Sequence, residues 1–377
     1  MSVQLLGALI VAGLVGPLLR LPKLWNIPVA VGELLIGSIF GASGFQKIPY
    51  QDPSLKLLAT VGFALLMFTA GSHIDYRILT KSAFQKAFWI LLANFGLAVA
   101  VGFVIDHLAH FSNWKLLAVI SFSSSAAFVI PIVQYFAPSL SGSILITQVT
   151  LADAFAFVTL PFFTQKSGQL QAFQGALIVL VASIVIFFVL RFAKLRGWLI
   201  RTHEISKADN LGIELRISLA LLLLVAALAV RFHASVMIAG FSLGVALASI
   251  GVPHRLARQL FGVSDGFFAP LYFVWLGASI DIRQTFHSKD AILLAVLLSA
   301  GAFISHLPSK LFGQPTRNIF LASAQLGIPA AAVTLGTANG ILTGAQSGAI
   351  MLSMLFTLIP PSFNSKRGPL GAPPGAP

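Results

Sequence analysis

The chain has 377 residues, 57% of them hydrophobic and only 9% charged, where an ordinary soluble domain carries about 25% charged residues. Its mean hydropathy is +0.91. A soluble globule of this length would need far more charge to coat it, and a disordered chain far fewer apolar residues. Both are excluded, and a polytopic helical membrane protein remains. The absence of cysteine removes disulfides, thiolate nucleophiles and cysteine metal sites. The 24 Lys and Arg outnumber the 11 Asp and Glu, yet they are dispersed between apolar runs and call for no nucleic-acid partner. The first apolar run follows no basic segment, so it reads as a span and not a signal peptide.

A helix needs about 20 apolar residues to cross the hydrocarbon core. On that basis the first part of the chain holds spans near 3–19, 27–41, 54–71, 86–109, 114–136, 143–164 and 171–194. The second part holds 211–231, 234–250, 263–280, 289–308, 317–338 and 341–361, for thirteen in all, or twelve if a short junction fuses two. Span two carries Glu33 between Gly32 and Gly37, small residues that suit close helix packing. Glu33 reads either as a structural hydrogen bond or subunit contact, or as part of an ion path. Span five contains Ser123-Ser124-Ser125 and then Pro131, and span twelve contains Ser323-Ala324-Gln325 and then Pro329. Proline removes a backbone donor, and freed backbone groups in a membrane need protein or water to satisfy them. Such a pair in corresponding halves marks a transporter's binding site, because half-helix ends aim partial charges at an ion. Two simple kinks are the alternative.

Span six places Asp153 ten residues inside, where a charge costs at least ~3 kcal/mol and is functional by default. Thr150, three positions earlier, shares its face. Gln148, five earlier, is turned well away on a regular helix. The alternative for Asp153 is a protonated carboxyl in a structural hydrogen bond. Other acids, namely Asp52, Asp75, Asp106, Glu204, Asp209, Asp281 and Asp290, sit at span ends or in loops, and Asp265 reads as the start of span ten. In span eleven, Ser299, Ser305 and His306 are less telling, and His306 reads as interfacial before it reads as a proton carrier. Neither a metalloprotease motif, a phosphate loop nor a catalytic triad is present, so no enzyme activity, transition-metal site or cofactor is expected.

Of the Lys and Arg residues, 17 fall on the side facing the loops after odd-numbered spans and 7 on the other. This places the N-terminus outside and the C-terminus in the cytoplasm of a cell-membrane protein. Gly71, Ile74, Asp75 and Arg77 at the end of span three match Gly277, Ile280, Asp281 and Arg283 at the end of span ten, 206 residues on. Gly32 and Gly37 in span two match Gly240 and Gly244 in span nine at nearly that offset. The copies lie in opposite senses, the mark of an inverted repeat. The expected division is 1–164 for the first repeat, 165–210 for a linker helix and basic loop, 211–362 for the second repeat, and 363–377 for a flexible tail.

Pro28 to Gly37, Leu66 to Gly71, Ser123 to Ala127 and Phe268 to Gly277 together resemble the motifs of bacterial monovalent cation:proton antiporters of the cation:proton antiporter-2 type. The resemblance implies a homodimer with an all-α fold of about thirteen spans. A mobile core would surround two crossed, discontinuous helices, spans five and twelve, completed by four, six, eleven and thirteen. Spans one to three and eight to ten would form the dimerisation scaffold, and the ion-binding aspartate would be Asp153. Electrogenic members carry two adjacent acids in span six and a lysine in span eleven. Here Ala152 precedes Asp153, Ser299 to Ile304 hold no lysine, and Lys310 lies near the inner end. The nucleotide-binding tail of some potassium-efflux relatives is likewise not expected, only the flexible Gly- and Pro-rich end.

The expectation is therefore a secondary antiporter exchanging Na⁺ or K⁺ for H⁺ at a single carboxylate, electroneutral and without cofactor. Asp153 would hold the cation, with Thr150, Ser125, Gln325 and Gln148 as candidate ligands and Glu33 and His306 as candidates for a proton path or packing. A Na⁺-coupled organic-anion symporter of related fold and a transport-inactive sensor or scaffold are the alternatives.

Overall fold

The computed structural model describes residues 3–20, 28–72, 81–134, 139–165, 169–208, 211–251 and 254–364. Asp75, Arg77, Asp209 and the tail from 365 onward lie outside them, so the loop half of the 206-residue match has no structural counterpart to compare. Every regular element among the described residues is helical. The first part runs α1 (Val3–Gly13), α2 (Val15–Arg20), α3 (Val29–Phe40), α4 (Pro53–Ser72), α5 (Lys81–Ala109), α6 (Trp114–Phe122), α7 (Ala126–Gln134) and α8 (Leu140–Phe163). Next come α9 (Gln169–Leu195) and α10 (Trp198–Ala208). The second part runs α11 (Ile213–Arg231), α12 (Val236–Ile250), α13 (His254–Val263), α14 (Ala269–Ser279), α15 (Ile282–His287), α16 (Lys289–Ser305), α17 (Thr316–Ala322), α18 (Gly327–Ala338) and α19 (Gly344–Asn364).

Among the described residues, eight helical stretches are long and apolar enough to cross a membrane, and four shorter apolar helices stand where spans one, two, nine and thirteen were expected. With the broken span five, built from α6 and α7, these make the thirteen. Leu177, Val181, Ile184 and Phe188 on α9 are exposed, which suits a helix lying against lipid tails.

Three boundaries differ from the sequence reading. Span ten was expected to begin at 263, but helix starts at His254 and passes through a π turn at Ser264–Phe268. Pro270 follows in the first turn of α14 and has no N–H to return to Gly266, so the backbone widens there instead of breaking. Asp265 accordingly sits inside this turn and not at a span's start. The linker after span seven is itself helical, as α10. Span eleven ends in a 3₁₀ turn, Leu307–Phe312, which carries the chain on past Ser305.

The repeat is written into the packing. A Cβ added to Gly37 would lie 2.2 Å from the Val274 carbonyl oxygen, and one added to Gly277 would lie 2.2 Å from that of Leu34. In the other pair of helices, Gly244 meets Phe68 at 2.1 Å and Gly71 meets Phe241 at 2.3 Å. Adding 206 or 207 to Leu34, Gly37, Phe68 and Gly71 gives Phe241, Gly244, Val274 and Gly277. Thus α3 locks onto α14 as α12 locks onto α4, with a backbone approach that only glycine permits. Around these pairs α1, α9 and α11 complete one group of helices, while α5, α6, α8, α16, α18 and α19 pack into a second. The two groups touch where the Phe157 and Phe241 rings stand 4.8 Å apart, and where the Tyr272 hydroxyl lies 2.9 Å from Thr334 Oγ1.

Candidate cation site

Spans five and twelve are both interrupted in mid-course. Helix α6 ends at Phe122 because Ser123 turns to extended backbone (ψ 153°) while its hydroxyl donates back to the Ile120 carbonyl at 2.8 Å. A short hydroxyl side chain that bonds its own backbone competes with helix continuation. Helix α7 then starts at Ala126. In span twelve α17 stops at Ala322, the Ser323 hydroxyl donates to Phe320 O at 3.0 Å, and α18 starts at Gly327. Pro329 falls in the first turn of α18, where an amide hydrogen would have no intrahelical partner.

The breaks hold each other. Ser124, in the first, donates to the carbonyl of Ala322 at the end of α17 (2.7 Å). Gln325, in the second, donates its amide to Ile120 O near the end of α6 (2.5 Å) and to Ser123 O (3.3 Å). Each break thus supplies a donor to carbonyls at the C-terminal end of the other half-helix. The exchange repeats the two-fold relation of the glycine pairs. Gln325 was read as a cation ligand, and its amide nitrogen is a strut of the crossing.

Asp153 on α8 faces this crossing and is 8% exposed. Its Oδ2 accepts the Ala126 N–H at 2.8 Å, at the N-terminus of α7, where the helix dipole favours negative charge. Its Oδ1 is buried without a hydrogen-bond partner. Thr150, one turn earlier, is also buried, and so is Ser125, directly before Ala126. Asn113 and Asn339 clamp the far end of α8 by donating to the carbonyls of Phe163 (3.0 Å) and Thr164 (2.7 Å). Asp153, Thr150, Ser125 and Gln325 all belong to α8 or to the two breaks that it faces.

The other candidates lie elsewhere. Gln148 donates to Ser309 Oγ at 3.3 Å, in a cluster with Asn94. Glu33 is buried on α3, whose packing is with α1, α2 and α14, and the structure does not bring it to Asp153. His306 was expected at the membrane interface, but it is 1% exposed. Its Nδ1 lies 2.7 Å from Ala302 O and its Nε2 lies 3.3 Å from Ser124 Oγ. The correction has a simple cause: the 3₁₀ turn extends span eleven, so a residue placed at its end is still inside. Sequence reasoning missed the Ala126 N–H, because a backbone donor leaves no residue signature, and it missed Ser124, whose partners stand 182 and 198 residues away.

Two crossed broken helices with a carboxylate at one half-helix N-terminus define a class, the ion-coupled membrane transporter built on an internal repeat. Residues 8–364 match the sequence profile of the transmembrane sodium/hydrogen exchangers, and the chain belongs to that family. A Bacillus subtilis protein named "Putative Na(+)/H(+) antiporter YjbQ" is 27% identical over 93% of this chain. The alignment takes in 60% of that relative, so the chain spans well under its full length. The Enterococcus hirae Na(+)/H(+) antiporter is 22% identical over 91% of this chain and 92% of its own length. K(+)/H(+) antiporter 1 of Saccharomyces cerevisiae is 21% identical over 91% of this chain and 44% of its own. The fold is similar to that of the sodium proton antiporter MjNhaP1 from Methanocaldococcus jannaschii at pH 8. Its TM-score is 0.61 at 18% identity, with 96% of this chain and 94% of that one covered.

Proposed function

We propose that the protein exchanges a monovalent cation, Na⁺ or K⁺, for H⁺ across the cell membrane by competition at Asp153. The observation that carries this reading is the divided state of that carboxylate. One oxygen is held by the Ala126 N–H at the start of α7, and the other is buried and unpartnered beside the break. A proton or a dehydrated cation can take the free oxygen, and the two exclude each other. The names of the relatives, which pair Na⁺ or K⁺ with H⁺, support the same pair of substrates. Thr150 and Ser125 offer hydroxyl oxygens to the cation, while Gln325 and Ser124 keep the crossing rigid. No cofactor enters the scheme.

The exchange is one cation for one proton. The helix group around α5, α6, α8 and α16 moves against the group around α3, α4, α12 and α14, which supplies a homodimer interface. The N-terminus faces outward, and the chain divides at 164, 210 and 362. The test is everted vesicles or proteoliposomes carrying a pH-sensitive dye. A pH change on adding Na⁺ or K⁺, lost in Asp153→Asn, supports the reading. A response only to an organic solute points to a symporter, and silence with folded protein points to a sensor or scaffold.

A further inference from the structure

One buried polar cluster stands apart from the crossing. Asn94 on α5, Gln148 on α8 and Ser309 in the 3₁₀ turn are exposed by only 1%, 1% and 2%. The amides of Asn94 and Gln148 donate to Ser309 Oγ at 3.2 and 3.3 Å, and Ser309 Oγ lies 3.5 Å from Asn94 Oδ1. Ser309 has one hydrogen and two lone pairs, and all three are engaged by this set. Gln148 Oε1 is left buried with no partner. An acceptor orphaned inside a protein's core is costly, and this one sits on a cluster that three separate helical elements bring together.

We infer that Asn94, Gln148 and Ser309 form a second, weak binding site for a Na⁺-sized cation. A half-turn of each amide about its last side-chain bond exchanges nitrogen for oxygen without moving any backbone. The Asn94 and Gln148 oxygens then stand where the nitrogens are now, 3.2 and 3.3 Å from Ser309 Oγ. Ca²⁺, which is close to Na⁺ in size, takes oxygens at about 2.3–2.6 Å. Ligands at right angles around such an ion are therefore about 3.4 Å apart. The larger K⁺ would need a wider cage.

With no carboxylate among them, the three oxygens bind weakly and fill only at high Na⁺. Two basic groups flank the cluster on the 3₁₀ side. His306 is buried and its carbonyl accepts the Ser309 N–H at 3.2 Å, while the Lys310 side chain is exposed. Gln148 and Asp153 are five residues apart on α8, about 7.5 Å along its axis, and point to different neighbours. The two sites can thus be occupied together.

The test uses purified Asp153→Asn protein, so it does not depend on whether Asp153 is the transport site. A cation that binds only the folded state raises Tm with concentration. NaCl is titrated against choline chloride at equal ionic strength, with KCl as a third series. The expected result is a saturable Tm rise with Na⁺, smaller with K⁺, that persists in Asp153→Asn. It should vanish in Asp153→Asn/Gln148→Met and in Asp153→Asn/Ser309→Ala. If Gln148→Met does not fold, Gln148→Glu replaces it, and the added charge should lower the Na⁺ concentration needed by at least tenfold. Absence of any Na⁺-specific rise in Asp153→Asn overturns the inference and leaves the cluster to a bound water. A rise unchanged in both double variants overturns it as well, by placing the ion elsewhere.

Discussion

The free oxygen of Asp153 makes the residue-scale predictions sharp. Asp153→Asn keeps the shape and can still accept the Ala126 N–H through its carbonyl oxygen, but it cannot be charged. Exchange should be lost while elution as a folded species and Tm stay near wild type, and wild-type flux in purified mutant would end the single-carboxylate mechanism. Asp153→Glu pushes the carboxylate one methylene further and should retain partial activity with an altered apparent cation affinity. Competition also fixes a sign for pH. Protons and cations contest one oxygen, so the apparent KM for the cation should rise as pH falls, while maximal flux is reached at higher cation concentration. A KM independent of pH would mean that the two do not share a group. At the ends of the spans, Asp52 and Asp281 cap the helices that follow them. Asp52, which accepts from the Leu55 and Ser54 amides, has its carboxyl held below the ordinary range chiefly by the Leu55 bond.

At the scale of elements, the crossing and the glycine locks can be broken separately. Gln325→Leu removes the side-chain donor that ties this break to Ile120 O and Ser123 O, and leaves the Ser123 carbonyl short of a partner at about 1–3 kcal/mol. Tm should fall, and turnover should slow even where protein survives. Gly37→Ala, and likewise Gly244→Ala, drives a methyl within 2.2 Å or less of a backbone carbonyl, and should cost several times what a tolerated surface change does. Gly96→Ala is the control, since its Cβ meets nothing within 4 Å. It should be neutral or stabilising by up to ~1 kcal/mol, because alanine is the better helix former. Equal losses in all three would show that the close approaches do not matter.

This scale also marks how far the sequence could be read. Span positions follow from the length of apolar runs, and the breaks follow from a serine run or Ser-Ala-Gln ahead of proline. Those are local properties that one stretch of chain states by itself. The π turn before Pro270, the helix α10 and the burial of His306 depend on how neighbouring turns continue, which periodicity reports poorly. The Ser124–Ala322 and Gln325–Ile120 bonds join residues about 200 apart, and nothing in either segment names its partner. Asp153 was legible because a charge in an apolar run is conspicuous. Asn94 and Ser309 were not, since neutral polar residues are common in long helices.

For the whole molecule, the count of titratable groups around the crossing decides the coupling. Asp153 is the one carboxylate among the described residues that faces the two breaks. Ala152 stands where a second acid would be, and Glu33 belongs to the α3–α14 packing. One carboxylate that gives up one proton for one monovalent cation carries the same net charge in both loaded states, so membrane potential should have no purchase on the equilibrium. His306 is the group that could change this. It touches Ser124, whose single hydrogen has both Ala322 O and the ring Nε2 within reach. Both ring nitrogens can donate only if the imidazole takes up a proton, and a proton carried there would make the cycle two for one. Each net charge moved through 100 mV changes the driving force by ~2.3 kcal/mol, which is far above the noise of a dye measurement. In proteoliposomes, with Na⁺ as substrate and an imposed potassium–valinomycin potential, the pH gradient at equilibrium should follow the Na⁺ gradient alone. A shift of that equilibrium with voltage would overturn the one-for-one exchange. If His306→Ala then abolished the shift while exchange continued, the second proton would be assigned to the ring.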